Sequence, residues 1–253
     1  MSKKIAIIFA GGSGARMGAG IPKQFIEVNG KPIIIHTLDI FEDDPNIDEI
    51  YVACKEDCIR KLEKYCKRFL ITKVAAIVPG GTSGQDSIYN ALCAAKANNS
   101  DDAIVLIHDG VRPCITSEVI ADNIASVEKY GSSITCTAMF ETPVVCADGS
   151  TIDQVLDRST MYTAQAPQSF YLGDVMAAHA QMRKENPSYK GVVDTCNLMR
   201  SLGKEVHLIS GPRGNIKVTT PEDLYTFRAM IEYRESMQTF GFARHEVADK
   251  LLK

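Results

Sequence analysis

Two cations bracket a run of glycines near the start of the chain. Arg16 and Lys23 are the only charges in AGGSGARMGAGIPKQ, which follows directly on the strand-like run KIAIIFA. A glycine-rich turn after a buried strand exposes backbone N–H groups that favour phosphate oxygens. An ATPase phosphate loop would end in Gly-Lys-Ser/Thr, whereas Gly12 to Met17 runs on into Gly18-Ala19. A dinucleotide loop would need a third glycine and an unbroken helix, and Pro22 interrupts any helix here. A third reading is a triphosphate loop, in which Arg16 forks onto phosphate oxygens and Lys23 adds a point charge to the backbone donors. A plain connecting loop is the fourth, and it leaves the placing of the two cations unexplained.

Asp109 ends the run AIVLIHD, where the loops of a parallel sheet would open. A carboxylate there suits Mg²⁺, which takes one or two protein oxygens alongside phosphates and water. The same Asp-Gly pair also makes a turn or a helix cap. His108 beside it is read as structural. The eight cysteines are scattered without a Cys-x-x-Cys pair, which speaks against zinc and for buried thiols in a reducing compartment.

These residues need a scaffold. Apolar runs recur at KIAIIFA, DEIYVAC, KVAAIVPG and DAIVLIHDG, with helical patterns near 31–41, 56–69, 85–98 and 116–129 between them. That alternation predicts an α/β fold, a parallel sheet covered on both faces, with its ligand-binding loops on one edge. After SSITCTAMF the rhythm breaks, and residues 141–164 read as a hairpin-like arm around a DG turn. Helices follow near 172–184 and 194–202, then the strand KEVHLIS, the segment GNIKVTT and a helix opened by Thr220-Pro221-Glu222-Asp223. The stretch from about Ser236 has no assignment, and there is no internal repeat.

At 253 residues, 45% hydrophobic and 23% charged, the chain has the make-up of one globular domain. A net charge of −3 gives no pull toward nucleic acid or an anionic membrane. No apolar run approaches a membrane span, and the N-terminal run, only about seven residues before its glycine loop, reads as a first strand rather than a signal peptide. The expected location is cytoplasmic.

AGGSGARMG followed by PKQF resembles the signature of the nucleotidyltransferases that activate sugar and polyol phosphates. More narrowly it is similar to the cytidylyltransferases acting on methylerythritol phosphate and ribitol phosphate. The likeness continues in order through GKPIIIHTL, PGGTSGQDSIYNAL, HDGVRP, DRSTMYTAQAPQSF and NIKVTTPEDL. It implies a Rossmann-like nucleotidyltransferase fold in a single domain over residues 1–253, whose arm at about 141–164 clasps a second subunit to make a homodimer. It implies the reaction of CTP with a polyol phosphate, with Mg²⁺, to give a CDP-alcohol and pyrophosphate.

The resemblance also distributes roles. Arg16 and Lys23 would hold the triphosphate, and Lys217 would reach the α-phosphate; from the residues alone Lys217 is a lone lysine on a short strand, a pattern typical of solvated charge. Ala10, Gly11 and Gly12 would form one lip of the nucleotide site, with Gly80, Gly81 and Ser87 opposite at the cytosine edge. Asp109 would hold the metal. Arg112, Thr142 and Arg158 would grip the acceptor phosphate, with Arg158 coming from the partner subunit. Asp86 is read as a helix-start residue and AQAPQSF as scaffold.

Three departures bear on the acceptor. Gly84 stands where many relatives carry arginine, Val193 where methylerythritol-phosphate enzymes usually have threonine, and Gly214 where that group often has an acid. With DTCNLM, they place the chain nearer the ribitol-phosphate branch. The alternatives are 2-C-methyl-D-erythritol 4-phosphate as acceptor, or a catalytically retired CTP-binding regulator; an NAD-dependent oxidoreductase is disfavoured by the missing glycine and acid.

Overall fold

The computed structural model describes residues 2–12 and 21–240, with side chains through residue 236. Four strands from the first half of the chain form the parallel part of the sheet: β1 (Lys4–Ala10), β4 (Glu49–Cys54), β5 (Val74–Pro79) and β6 (Ile104–Asp109). Between β1 and β4 lie the short hairpin of β2 (Glu27–Val28) and β3 (Lys31–Pro32) and the helix α1 (Ile33–Asp43). The other crossovers are α2 (Ile59–Arg68) and α3 (Gly84–Lys96).

Side-chain alternation along β1 shows why the sequence had to be apolar on both faces. Ala6 and Ile8 pack with Val52 and Leu106 against Leu38, on α1, while Ile5 and Ile7 pack with Val105 and Ile107 against Leu92, on α3. A strand buried on both faces reads as a continuous apolar run, which is what made these four legible.

The second half of the chain builds the rest. Helix α4 (Ser117–Tyr130) starts on the Thr116 side chain and stops at Gly131, whose φ of 79° suits a residue without a Cβ. Strand β7 (Ser132–Ala138), the arm strands β8 (Val144–Val145) and β9 (Gln154–Val155), and β10 (Tyr162–Tyr171) follow. Then come α5 (Leu172–Glu185), α6 (Thr195–Ser201), β11 (Leu208–Ser210) and α7 (Pro221–Phe240). The sheet order is β11-β7-β10-β6-β1-β4-β5, and β10 alone runs antiparallel to its neighbours.

Four expectations need correcting. The arm ends before Tyr162 rather than at 164, because AQAPQSF, read as scaffold, is the middle of β10, wedged between β6 and β7. The ladder slips between Ala164 and Gln168, and Pro167, which has no N–H to give, sits in that irregularity. A buried polar chain holds the slip: Ser169 donates to Asn123 at 2.9 Å, Asn123 to Thr135 at 2.9 Å, and Thr135 to the Pro167 carbonyl at 2.9 Å. A strand made of such residues has no apolar period to read. GNIKVTT is not a strand, because its backbone bonds go to turns and to Val111 rather than to a ladder. In KEVHLIS only Leu208–Ser210 pairs with β7. The stretch from Ser236, left without an element, continues α7 as far as Phe240.

On the α3 side of the sheet, His179 is fully buried with Nδ1 2.6 Å from the Tyr189 hydroxyl and Nε2 without a partner. Burial pushes its imidazole down to about 4 from 6.5, Arg183 adding to the effect and Asp86 opposing it. Between those two values the unfolded chain binds a proton that the native chain refuses, so the stability His179 contributes is complete above pH 6.5 and is lost as pH falls toward about 4. The melting temperature should fall across that window, less steeply for His179→Gln than for the wild type. Equal slopes would show that this imidazole is not held neutral.

Candidate active site

The C-terminal ends of β1, β5 and β6 meet at one edge of the sheet. Gly110, just past β6, lies so close to β1 that a Cβ there would sit 2.9 Å from the Cβ of Ala10. Gln24, buried and overlooked in the sequence, donates to the Ala10 carbonyl at 2.7 Å and pins the start of the glycine loop. Arg16 lies outside the described residues.

The two glycine lips converge on one hydroxyl. Ser87 Oγ accepts from the Gly81 N–H at 3.0 Å and donates to the Ser83 carbonyl at 2.9 Å. Cβ atoms added at Gly11 and Gly80 would stand 3.1 and 3.0 Å from that same oxygen. A hydroxyl has one proton and two lone pairs, so Ser87 keeps one acceptor position for a ligand. Asp86 belongs to the start of α3: its N–H donates to the Ser83 cap at 3.0 Å, and its carboxylate receives Thr82 at 2.6 Å and Arg183 at 2.7 Å.

Around Asp109 the charges interlock. Lys217 Nζ lies 2.6 Å from one carboxylate oxygen and Arg112 Nε 3.3 Å from the other. Arg112, only 8% exposed, also donates from Nη1 to the Asn215 carbonyl at 2.5 Å. Burial pushes the Asp109 carboxyl up, but Lys217 and Arg112 outweigh it and the net shift is downward, so the group stays ionised. Burial holds His108 down at about 4, hence neutral; its Nε2, 3.0 Å from the Arg112 carbonyl, must carry the proton and donate. His108 is thus a strut under the Arg112 turn.

Lys217 is exposed, as the residues alone suggested, yet the fold also ties it to Asp109 and places it 6.0 Å from the centre of the Phe9 ring. Lys23 donates to the carbonyl of the next residue, Val218, at 3.1 Å. Gly12 lies along that reach, with Lys23 Cε 4.0 Å from where its Cβ would be. Asn215, a residue with no sequence signal, is fully buried and donates to the Ala166 carbonyl at 2.7 Å. It therefore fastens the Lys217 segment to the irregular part of β10.

Asp109, Arg112 and Lys217 open into a cavity of ≈ 240 Å³, whose far wall carries Gly84, Val193 and Thr195. Thr142 and Arg158 do not line it. Both are exposed on the arm, where Arg158 donates to the Phe140 carbonyl at 2.8 Å. A Cβ on Gly84 would meet nothing within 4 Å, and one on Gly214 would press on Met230 of α7 at 2.7 Å. Among the described residues no three His, Cys, Asp or Glu side chains gather as a metal cluster. A cation here would therefore rest on Asp109 and on substrate oxygens, an arrangement that fits Mg²⁺ chemistry and not a closed zinc site.

A doubly wound sheet with glycine turns and paired cations at its carboxyl edge suits a phosphate-bearing ligand, and comparison with known proteins gives the class, a nucleotidyltransferase. The model of the 2-C-methyl-D-erythritol 4-phosphate cytidylyltransferase family matches residues 4–233, and the chain belongs to that family. It is 46% identical over 241 residues to a ribitol-5-phosphate cytidylyltransferase of Streptococcus agalactiae serotype III, covering 94% of this chain and 99% of that protein. It is 38% identical over 234 residues to a 2-C-methyl-D-erythritol 4-phosphate cytidylyltransferase of Clostridium botulinum strain 657, covering 92% and 99%. The crystal structure of 4-diphosphocytidyl-2C-methyl-D-erythritol synthase from Anaerococcus prevotii superposes with a TM-score of 0.77 at 28% identity, covering 91% of this chain and 96% of that one. The protein is a cytidylyltransferase enzyme.

Gly81 offers a direct check on the nucleotide lip. A Cβ there would lie 2.1 Å from the Asp86 Cβ, so Gly81→Ala must move the loop away from Ser87. Titration calorimetry should show CTP binding weakened at least about ten-fold, the cost of a misplaced hydrogen-bonding loop, with the circular dichroism spectrum unchanged. Unaltered CTP affinity would remove this loop from the nucleotide site.

Proposed function

We propose that this enzyme joins CTP to D-ribitol 5-phosphate, giving CDP-ribitol and pyrophosphate. The observation that carries the acceptor is the higher identity to the streptococcal ribitol-phosphate enzyme than to the clostridial methylerythritol-phosphate enzyme, over nearly equal spans. A phosphate oxygen of the acceptor attacks the α-phosphorus of CTP in line; the new P–O bond forms as the bond to the β-phosphate oxygen breaks. The reaction brings anion against anion, so positioning and charge neutralisation supply most of the catalysis.

Each residue has a task in this reading. Lys217 passes from Asp109 to the α-phosphate, a short step for an ammonium already held at the cavity. Lys23, with Arg16 from the glycine loop, neutralises the departing pyrophosphate. Asp109 would hold Mg²⁺, which when bound screens the triphosphate charge. The spare lone pair of Ser87 suits the exocyclic amine of cytosine, a donor that uracil lacks, while Ala10, Gly11, Gly12 and Gly80 admit the nucleotide closely. Arg112 faces the acceptor phosphate.

Thr142 and Arg158 serve the neighbouring subunit's site. The arm supports this: Val144, Val145, Ile152 and Val155 are exposed on a two-stranded ribbon, too small to be stable in water by itself. A homodimer would cover that apolar surface. All eight cysteines are free thiols, which agrees with a cytoplasmic setting, and no described helix is long and apolar enough to cross a membrane.

Pyrophosphate release with CTP and Mg²⁺ tests the acceptor. It should be faster with D-ribitol 5-phosphate than with 2-C-methyl-D-erythritol 4-phosphate at equal concentration; the reverse order would keep the chemistry and replace the acceptor. Mixing tests the shared site. Arg158→Ala and Lys217→Ala should each be nearly inactive alone, and subunit exchange between them should restore up to about a quarter of wild-type activity, since half the dimers are mixed and each has one intact site. No recovery despite exchange would place Arg158 in its own subunit's site or outside catalysis.

A further inference from the structure

The cavity beside Asp109 holds two polar side chains whose hydrogen-bonding capacity the protein leaves unused. Gln85 is 4% exposed and Thr195 1%, both line the cavity, and Gln85 Oε1 and Thr195 Oγ1 are buried without a hydrogen-bond partner. Buried polar atoms in folded proteins are nearly always paired, because an unpaired one costs about 1–3 kcal/mol. Two on the walls of one cavity are an expense with no return in the free protein. Their sequence neighbours sharpen the point: Gly84 contributes no side chain and Val193, 85% exposed, contributes only methyl groups. Asp194 and Gln168, which also line the cavity, already bond each other at 3.0 Å, and Gln165 accepts from Asn215, so the unused polar capacity falls to Gln85 and Thr195.

We infer that Gln85 and Thr195 form the subsite that reads hydroxyl groups along the carbon chain of the acceptor. The inference rests on the reading of this cavity as the acceptor site. An amide offers a donor at one end and an acceptor at the other, and a threonine hydroxyl does both, so the pair suits a chain bearing several hydroxyls. The base is read elsewhere: Gly80, Gly81 and Ser87 do not line this cavity. A site built to bond a hydroxyl turns away the analogue that lacks it, because the protein groups are then left unpaired again. Gln85 and Thr195 are therefore specificity residues for the acceptor and not for CTP.

The test is steady-state kinetics with CTP and D-ribitol 5-phosphate on the wild type, Gln85→Leu, Thr195→Val and Thr195→Ser, with thermal melts of the free proteins. The set of mono-deoxy ribitol 5-phosphates completes it. Each apolar variant should lose about ten-fold or more in kcat/KM for ribitol 5-phosphate, the worth of one hydrogen bond, with KM for CTP unchanged. Thr195→Ser should stay near wild type. Since no partner is lost in the free protein, the melting temperature of Thr195→Val should equal or exceed that of the wild type. One deoxy analogue should penalise the wild type while costing the matching variant little more.

An unchanged kcat/KM, an equal rise in the KM for CTP, or a lowered melting temperature with no analogue matched to either variant would each overturn the subsite. If the wild type prefers 2-C-methyl-D-erythritol 4-phosphate, the acceptor reading fails on its own, and the same variants assayed with that substrate still decide the subsite.

Discussion

A buried carboxylate needs a counter-charge, and the way Asp109 obtains two of them organises the active edge. Without Lys217 and Arg112 its ionised form would cost several kcal/mol in the interior. To supply them, the turn after β6 folds back under the support of His108, and the segment around residue 217 comes in from the far end of the chain. In the proposed reaction between two phosphates, Lys217 and Arg112 would also be the cations at hand. The constraint that stabilises the site is the one that charges it.

The antiparallel strand β10 is the second support. It lies directly against β6, and its irregular middle presents the Ala166 carbonyl to Asn215. Asn215 in turn gives its own carbonyl to Arg112. A regular strand would have spent that carbonyl on its ladder. The break in pairing is paid by the buried polar chain through Ser169, Asn123 and Thr135, which anchors it to α4 and β7.

The cavity sets this charged cluster beside Gln85 and Thr195. Where relatives were expected to place arginine and threonine, Gly84 and Val193 leave space and methyl groups. The two glycine turns gather on the Ser87 hydroxyl, which does not line the cavity. In the proposed reading the first turn of α3 serves both substrates, Ser87 facing the base beside β1 and Gln85 facing the acceptor beside α6.

Much of this was legible in the amino-acid sequence. The parallel strands announce themselves because both faces are buried, the last helix because Thr220-Pro221-Glu222-Asp223 opens it, and the family because its blocks are local and ordered. Asp109, Lys23 and the glycines belong to those local signals. What the sequence could not convey was pairing over distance: that β10 enters the sheet backwards, that Lys217 is ion-paired to Asp109, and that Asn215 and Gln24 fasten the loops. Each is a single bond between residues far apart in the chain, with no periodic trace. The unpaired states of Gln85 and Thr195 lie further from reach, since a missing partner exists only once every neighbour has been placed. Sequence alone determined the family and its elements through local pattern; tertiary structure decided which polar groups are satisfied, because satisfaction belongs to the packed whole.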